Sequence, residues 1–146
     1  TNELHMLEEG DPLLLTDIFG DIHYQGKGLF IAGGAGITPF ISIFRQLKKR
    51  GELGGNSLLF ANKTSADIIL EEELRDMLGK EMTCILSDET SDRYLSGFIS
   101  RELIADQLTT PGMNVYVCGP PPMMKKVLEY LSELKIPEGS IVADEF

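Results

Sequence analysis

The chain has no tryptophan, only two histidines and two cysteines, and far fewer cations than anions. Each scarcity excludes something. Cys84 and Cys118 are too few for a disulfide framework. His5 and His23 lie near the start, without partner ligands at metal spacing, so this inventory builds neither a zinc nor an iron–sulfur site. Lys and Arg total 13 against 23 Asp and Glu, a net charge of −10. A surface that negative repels phosphate backbones and anionic lipid, which sets aside nucleic acid and membrane surfaces as partners. An anion that does bind must be held locally, by backbone N–H groups or a few cations. No apolar run approaches the roughly 20 residues that span a bilayer, and no signal peptide is expected. A chain that opens on Thr1 is expected to be cut from something longer, and a reducing cytoplasm is the expected compartment.

What is present is globular. The 146 residues are 42% hydrophobic and 25% charged, which suits one packed domain. Apolar runs alternate with helical stripes. Gly28-Leu29-Phe30-Ile31-Ala32 reads as a buried strand, and Phe40, Ile43, Phe44 and Leu47 follow at helical spacing. Lys48-Lys49-Arg50 suit the last turn of that helix and Gly51 its end. Further strands are expected at 57–61, 83–87, 114–118 and 140–143. Further helices are expected around Leu70–Leu78, Leu103–Leu108 and Met124–Leu131. Strands apolar on both faces and separated by helices imply a five-stranded parallel, Rossmann-like α/β sheet with helices on both faces. Residues 1–26 break the alternation. Residues 12–19 read as a strand and Phe19-Gly20-Asp21 as a turn, so the segment is expected to be an appendage or the trailing end of a preceding domain, with the main domain at 27–146.

Two strand-to-helix junctions carry chemical information. In Gly33-Gly34-Ala35-Gly36-Ile37-Thr38-Pro39, glycines permit a tight turn and close approach of a pyrophosphate to bare N–H groups. Thr38 is placed to cap the helix, with Pro39 in its first position. A glycine-rich turn without a ligand remains open for this loop taken alone, since Pro39 breaks the G-x-G-x-x-G pattern. In Cys118-Gly119-Pro120-Pro121-Pro122-Met123, three prolines stiffen the backbone and hold a thiol at a strand tip. A lone cysteine is otherwise a small buried hydrophobe. Both loops fall at the carboxyl edge of a parallel sheet, where ligands bind.

Taken together, these two motifs resemble the pyridine-nucleotide-binding domain of the ferredoxin–NADP reductase superfamily. Between them, Leu58-Leu59-Phe60-Ala61-Asn62-Lys63-Thr64-Ser65-Ala66-Asp67-Ile68 resembles the NADH–cytochrome b5 reductase branch, and the similarity covers residues 29–146. The resemblance implies a ferredoxin reductase-like, C-terminal NAD-linked domain that follows a flavin-binding barrel. Leu7-Glu8-Glu9-Gly10-Asp11-Pro12-Leu13-Leu14-Leu15 resembles the last strand of that barrel. The implied function is half of a flavin oxidoreductase, inactive alone, that passes hydride from NADH to FAD or FMN held by a preceding domain or subunit. An unidentified acceptor then takes the electrons.

The same resemblance assigns residues. Gly33, Gly34, Gly36, Ile37, Thr38 and Pro39 match the loop at the nicotinamide-side ribose and pyrophosphate, and Asn62 and Lys63 belong to the middle motif. Cys118 matches the cysteine beside the nicotinamide, with a positioning role, and Gly119, Pro120, Pro121 and Met123 match the wall after it. At the terminus, Asp144-Glu145-Phe146 fits a carboxylate, one residue, then an aromatic that covers the flavin; a packed strand end is the alternative. Asp144 stands where Glu is usual, and Glu145 is the other candidate carboxylate. After the third strand, Ser87-Asp88-Glu89 puts an anion where NADP users carry a cation, which favours NADH over NADPH, although Arg93 and Lys63 are nearby cations. Two other functions are carried: a regulatory nucleotide-binding module without electron transfer, and a glycine-loop methyltransferase. Pro39 and the 118–122 segment disfavour the latter.

Overall fold

Apolar strands with no polar alternation must be covered on both faces, and here they are. The computed structural model describes residues 4–14, 20 and 22–145. Among these run β1 (Gly28–Gly33), α1 (Thr38–Arg50), β2 (Ser57–Asn62), α2 (Glu71–Leu78), β3 (Met82–Leu86), β4 (Leu95–Ser96), α3 (Arg101–Gln107), β5 (Asn114–Gly119), α4 (Pro121–Glu133) and β6 (Ile141–Glu145). The strands form one sheet in the order β4-β3-β2-β1-β5-β6, and every pair is parallel.

The sheet thus has six strands, not the five expected. The extra one is β4, a two-residue edge strand whose residues are both exposed. It has no apolar run to announce it. It exists because the chain passes the free edge of β3 in register, Ile85 facing Leu95, and Gly97 N–H donates to the Leu86 carbonyl at 2.8 Å.

Strand alternation sorts side chains into two layers. Phe30, Phe60 and Tyr116 face α1 and α2, whereas Leu29, Ile31, Val115 and Val117 face α3 and α4. Phe30 is the centre of the first layer. Its ring stacks on Tyr116 at 4.2 Å and meets Phe44 edge-on at 4.7 Å. A fully buried side chain of this size contributes about 1.5–3 kcal/mol. Tyr116 buries its ring and satisfies its hydroxyl, which donates to the Gly26 carbonyl at 2.7 Å and accepts from Gln25 N–H at 2.9 Å. Packing on this layer reaches back to Ile22 and Tyr24.

The ends of α1 follow the expected chemistry at one terminus only. Gly51 closes α1 in the left-handed conformation, φ +71°, with its N–H on the Leu47 and Lys48 carbonyls. At the other end Thr38 does not cap. A 3-10 turn over Gly34–Ile37 leads into the helix, Thr38 N–H already donates to Ala35, and Pro39 takes the second helical position. Ile37 stands in the capping position and no side chain caps the helix.

Residues 7–14 form no strand, and Leu14 is 93% exposed. A single segment without sheet neighbours has no ladder to join. Residues 15–19 and 21, which hold most of the strand and turn expected before residue 22, lie outside the described residues. No helix among the described residues is long and apolar enough to cross a membrane.

Candidate functional site

β1 is the strand at which the sheet order reverses. The chain leaves β1 for α1 on one face and leaves β5 for α4 on the other. Adjacent strands whose exits diverge open a crevice at their carboxyl ends. The two motif loops form its base and touch one another. A Cβ built on Gly36 would lie 2.2 Å from the Cys118 carbonyl oxygen and 2.8 Å from the Gly119 Cα. One on Gly33 would lie 2.5 Å from Met123 Sδ, and one on Gly119 would lie 3.1 Å from Gly33 N. Gly36 is therefore required by contact with backbone, whereas at Gly33 and Gly119 the closest obstacle is the Met123 side chain. Gly34 differs: its φ is +52° and nothing lies within 4 Å of a Cβ there, so it faces the opening.

Above this junction lies a cleft of about 490 Å³. Of the residues singled out from the sequence, Gly33, Gly34, Asn62, Lys63, Pro120 and Met123 line it. Gly36, Ile37 and Gly119 are buried beneath it as packing, while Thr38, Pro39 and Asp88 do not line it. Three lining residues escaped the sequence reading, Ile69, Gly97 and Phe98, and Asp67 was quoted there only as part of the middle motif. Phe98 is 81% exposed. A large aromatic left in water beside a glycine at the mouth of a cleft is a signal that the sequence alone offered only faintly.

Asn62 is the most informative side chain. It ends β2, is only 7% exposed, and neither its Nδ2 nor its Oδ1 has a protein partner. A buried amide left unsatisfied costs about 1–3 kcal/mol. Asn62 is among the residues of the cleft wall, with both amide atoms shielded from solvent and unpaired.

The rim beyond Asn62 is stitched by backbone. Ser87 N–H donates to the Asn62 carbonyl at 3.0 Å and Asp88 N–H to the Lys63 carbonyl at 2.9 Å. Ser87 Oγ donates to Asp88 Oδ1 at 2.6 Å. Thr64 donates to the Asp67 carboxylate from Oγ at 2.7 Å and from N–H at 2.9 Å, which holds that carboxyl below its usual range. Lys63 is the cation among the described lining residues. Arg93 is turned elsewhere: its Nη2 lies 3.0 Å from Glu71 Oε1.

Cys118 is 2% exposed and does not line the cleft. Its side chain joins the core layer of α1 and α2. Burial, with the Asp144 carboxylate opposite it in the sheet register, pushes the thiol up to about 11. It is a neutral group at physiological pH and not a nucleophile. Asp144 and Pro121 line a separate depression of about 230 Å³. Phe146 lies outside the described residues. Among the described residues no group of three His, Cys, Asp or Glu side chains gathers to hold a metal ion.

With the geometry in place, similarity to known proteins adds weight. Residues 30–129 match the family described as the oxidoreductase NAD-binding domain. NADH-cytochrome b5 reductase 2 of Rattus norvegicus is 36% identical over 140 residues, covering 86% of this chain and 50% of that protein. The CS-b5R domains of human Ncb5or, solved in an NAD+ form, superpose with a TM-score of 0.77 at 26% identity over 98% of this chain and 44% of that one. The flavohem-like FAD/NAD-binding domain of nitric oxide dioxygenase from Vibrio cholerae shares the fold, with a TM-score of 0.74 at 23% identity over 90% of this chain and 55% of that one. The chain spans about half the length of the curated relatives it matches.

Proposed function

The chain belongs to the oxidoreductase NAD-binding domain family, in the ferredoxin–NADP reductase-like group that includes the NADH–cytochrome b5 reductases, and on that premise we propose that it is the nucleotide half of an NADH-dependent flavin oxidoreductase. The observation that carries the reading is the unpartnered amide of Asn62, buried in a cleft whose base is two abutting glycine loops. A dinucleotide offers what this cleft lacks: acceptors and donors for Asn62, and an anion for Lys63. The bare backbone from Gly34 to Ala35 accepts the pyrophosphate. Phe98 and Ile69 offer an apolar platform to the adenine. Asp88 lies outside the lining, on the rim one residue past Ser87, and is assigned to the adenosine ribose hydroxyls that reach that rim, where a carboxylate accepts hydrogen bonds and repels a 2′-phosphate. NADH is therefore favoured over NADPH.

The bound dinucleotide supplies the hydride; the protein orients it. Gly36, Ile37 and Gly119 fix the separation of the two loops. Cys118, neutral and packed in the core beneath the cleft, acts on the nicotinamide end only by anchoring the loop that follows it, without touching the ring or forming a bond to it. The flavin, FAD or FMN, is held by a preceding domain or subunit of which residues 1–26 would be the trailing end, with Asp144 and Phe146 toward it. The acceptor beyond the flavin follows from that other half.

Isothermal titration of the chain with NADH and NADPH tests this. NADH should bind, more tightly than NADPH, and joining the chain to its flavin domain should produce NADH oxidation with an artificial acceptor. Tighter binding of NADPH, or a flavin-loaded joined protein that oxidises neither nucleotide, would overturn the reading.

A further inference from the structure

The segment from Ser87 to Tyr94 carries Asp88, Glu89 and Asp92 against a single cation, Arg93. That cation is held out of the cleft. Glu71 opens α2, directly after Leu70, whose left-handed backbone (φ +50°) turns the chain into the helix. The Glu71 carboxylate is 17% exposed and collects three donors: Arg75 Nε at 2.7 Å, Arg93 Nη2 at 3.0 Å and the Tyr94 hydroxyl at 2.9 Å. The Arg93 guanidinium also lies 5.3 Å from the centre of the Tyr94 ring. Arg93 and Tyr94 line a groove beside Cys84 and Asp106 that shares no residue with the cleft. The near end of the segment is fixed as well, since Glu89 accepts from Ser65 N–H at 2.8 Å and Ser65 Oγ at 2.9 Å. Pinned at both points, the segment presents Ser87 to the cleft and Arg93 away from it.

Resting on the reading of the cleft as an NADH site, we infer that Glu71 is a specificity-determining positioning residue: it sequesters Arg93, the one cation of this segment, and so denies a 2′-phosphate the counter-charge this segment could offer, leaving Lys63 as the cleft's cation. Glu71 touches no nucleotide and acts only through Arg93. Arg93 is 62% exposed. Its tie to Glu71 is therefore solvent-screened and weak enough to be undone by one substitution.

The experiment compares NADH and NADPH affinities, by isothermal titration, for the wild-type chain, Glu71→Gln, Arg93→Ala and the double variant. Glu71→Gln should raise NADPH affinity relative to NADH by about tenfold, the gain of one charge-assisted contact. Arg93→Ala should leave the ratio at its wild-type value, and adding it to Glu71→Gln should bring the raised ratio back. A thermal melt of each variant reports folding. A purely structural role for Glu71 would weaken both nucleotides together; that result, or a raised ratio persisting in the double variant, contradicts the inference. A wild-type chain that binds no NADH overturns the parent reading and this one with it, whereas intact NADH binding with an unmoved ratio overturns this one alone.

Discussion

Replacing Gly36 by alanine is the sharpest perturbation of the junction between the two loops. The added Cβ would lie 2.2 Å from the Cys118 carbonyl oxygen, 2.5 Å from its carbon and 2.8 Å from the Gly119 Cα. All three are backbone atoms at the end of β5, so no side-chain rotation relieves the clash. The tips of β1 and β5 must separate by roughly 1 Å in a close-packed interior, and overpacking of this kind costs about 3 kcal/mol. Conformational preference alone predicts the opposite sign. Gly36 is not among the glycines with positive φ, and Gly to Ala at such a site stabilises by about 0.4–1 kcal/mol through the unfolded chain. Gly34→Ala is the control, because it sits two residues away in open space at φ +52° and should cost only about 1–2 kcal/mol of backbone strain. In a urea titration with a parallel thermal melt, Gly36→Ala should lower the melting temperature by about 10 °C, at the 2–4 °C per kcal/mol usual for this size. A Gly36→Ala protein as stable as wild type would refute the claim that the loops touch.

Other consequences are separable from that one. Asn62→Leu removes two unsatisfied buried atoms and should leave the melting temperature of the nucleotide-free protein unchanged or higher, while weakening NADH by about tenfold; equal losses in both would remove the ligand argument. Cys118 and Cys84, both raised to about 11 by burial, should resist iodoacetamide in the folded protein below about pH 9, as read by mass spectrometry of the labelled peptides. Rapid labelling of Cys118 at pH 7.5 would contradict its burial. At Glu71, burial pushes the carboxyl up, but hydrogen bonds from Arg75 and Tyr94 and the Arg93 charge outweigh it and hold the group below its ordinary value. A folded-state value below the unfolded one contributes stability above the unfolded value, and loses it as pH falls through the folded one. The urea midpoint should drop on acidification below about pH 4.5, and part of that slope should vanish in Glu71→Gln.

Much of this was legible in the residues. The apolar runs mark five strands because strands covered on both faces cannot hide their composition, and Gly51 marks a helix end because only glycine takes its φ cheaply. The two loop motifs pointed to the crevice from which Gly33, Gly34, Asn62, Lys63, Pro120 and Met123 emerge. Other features were not legible, for physical reasons. β4 is a pairing of two exposed residues, stabilised by a neighbour distant in sequence. Thr38 looked like a cap because the 3-10 turn ahead of it has no sequence signature. The absence of partners around Asn62 is a property of its surroundings, and so is the capture of Arg93 by Glu71 from 22 residues away. The facing of Cys118 was available and understated: it shares alternation with Tyr116, and Tyr116 belongs to the α1 side of the sheet.

The central claim is that two abutting strand tips hold a reduced dinucleotide between them. Amide chemical-shift mapping of the isotopically labelled chain during NADH titration tests it most directly. The account predicts shifts at Gly33, Gly34, Ala35, Asn62, Lys63, Gly97, Phe98 and Met123, with Gly55, Thr109 and Gly112 on the opposite edge of the sheet unmoved. Shifts confined to that opposite edge, or no shifts at saturating NADH, would contradict it.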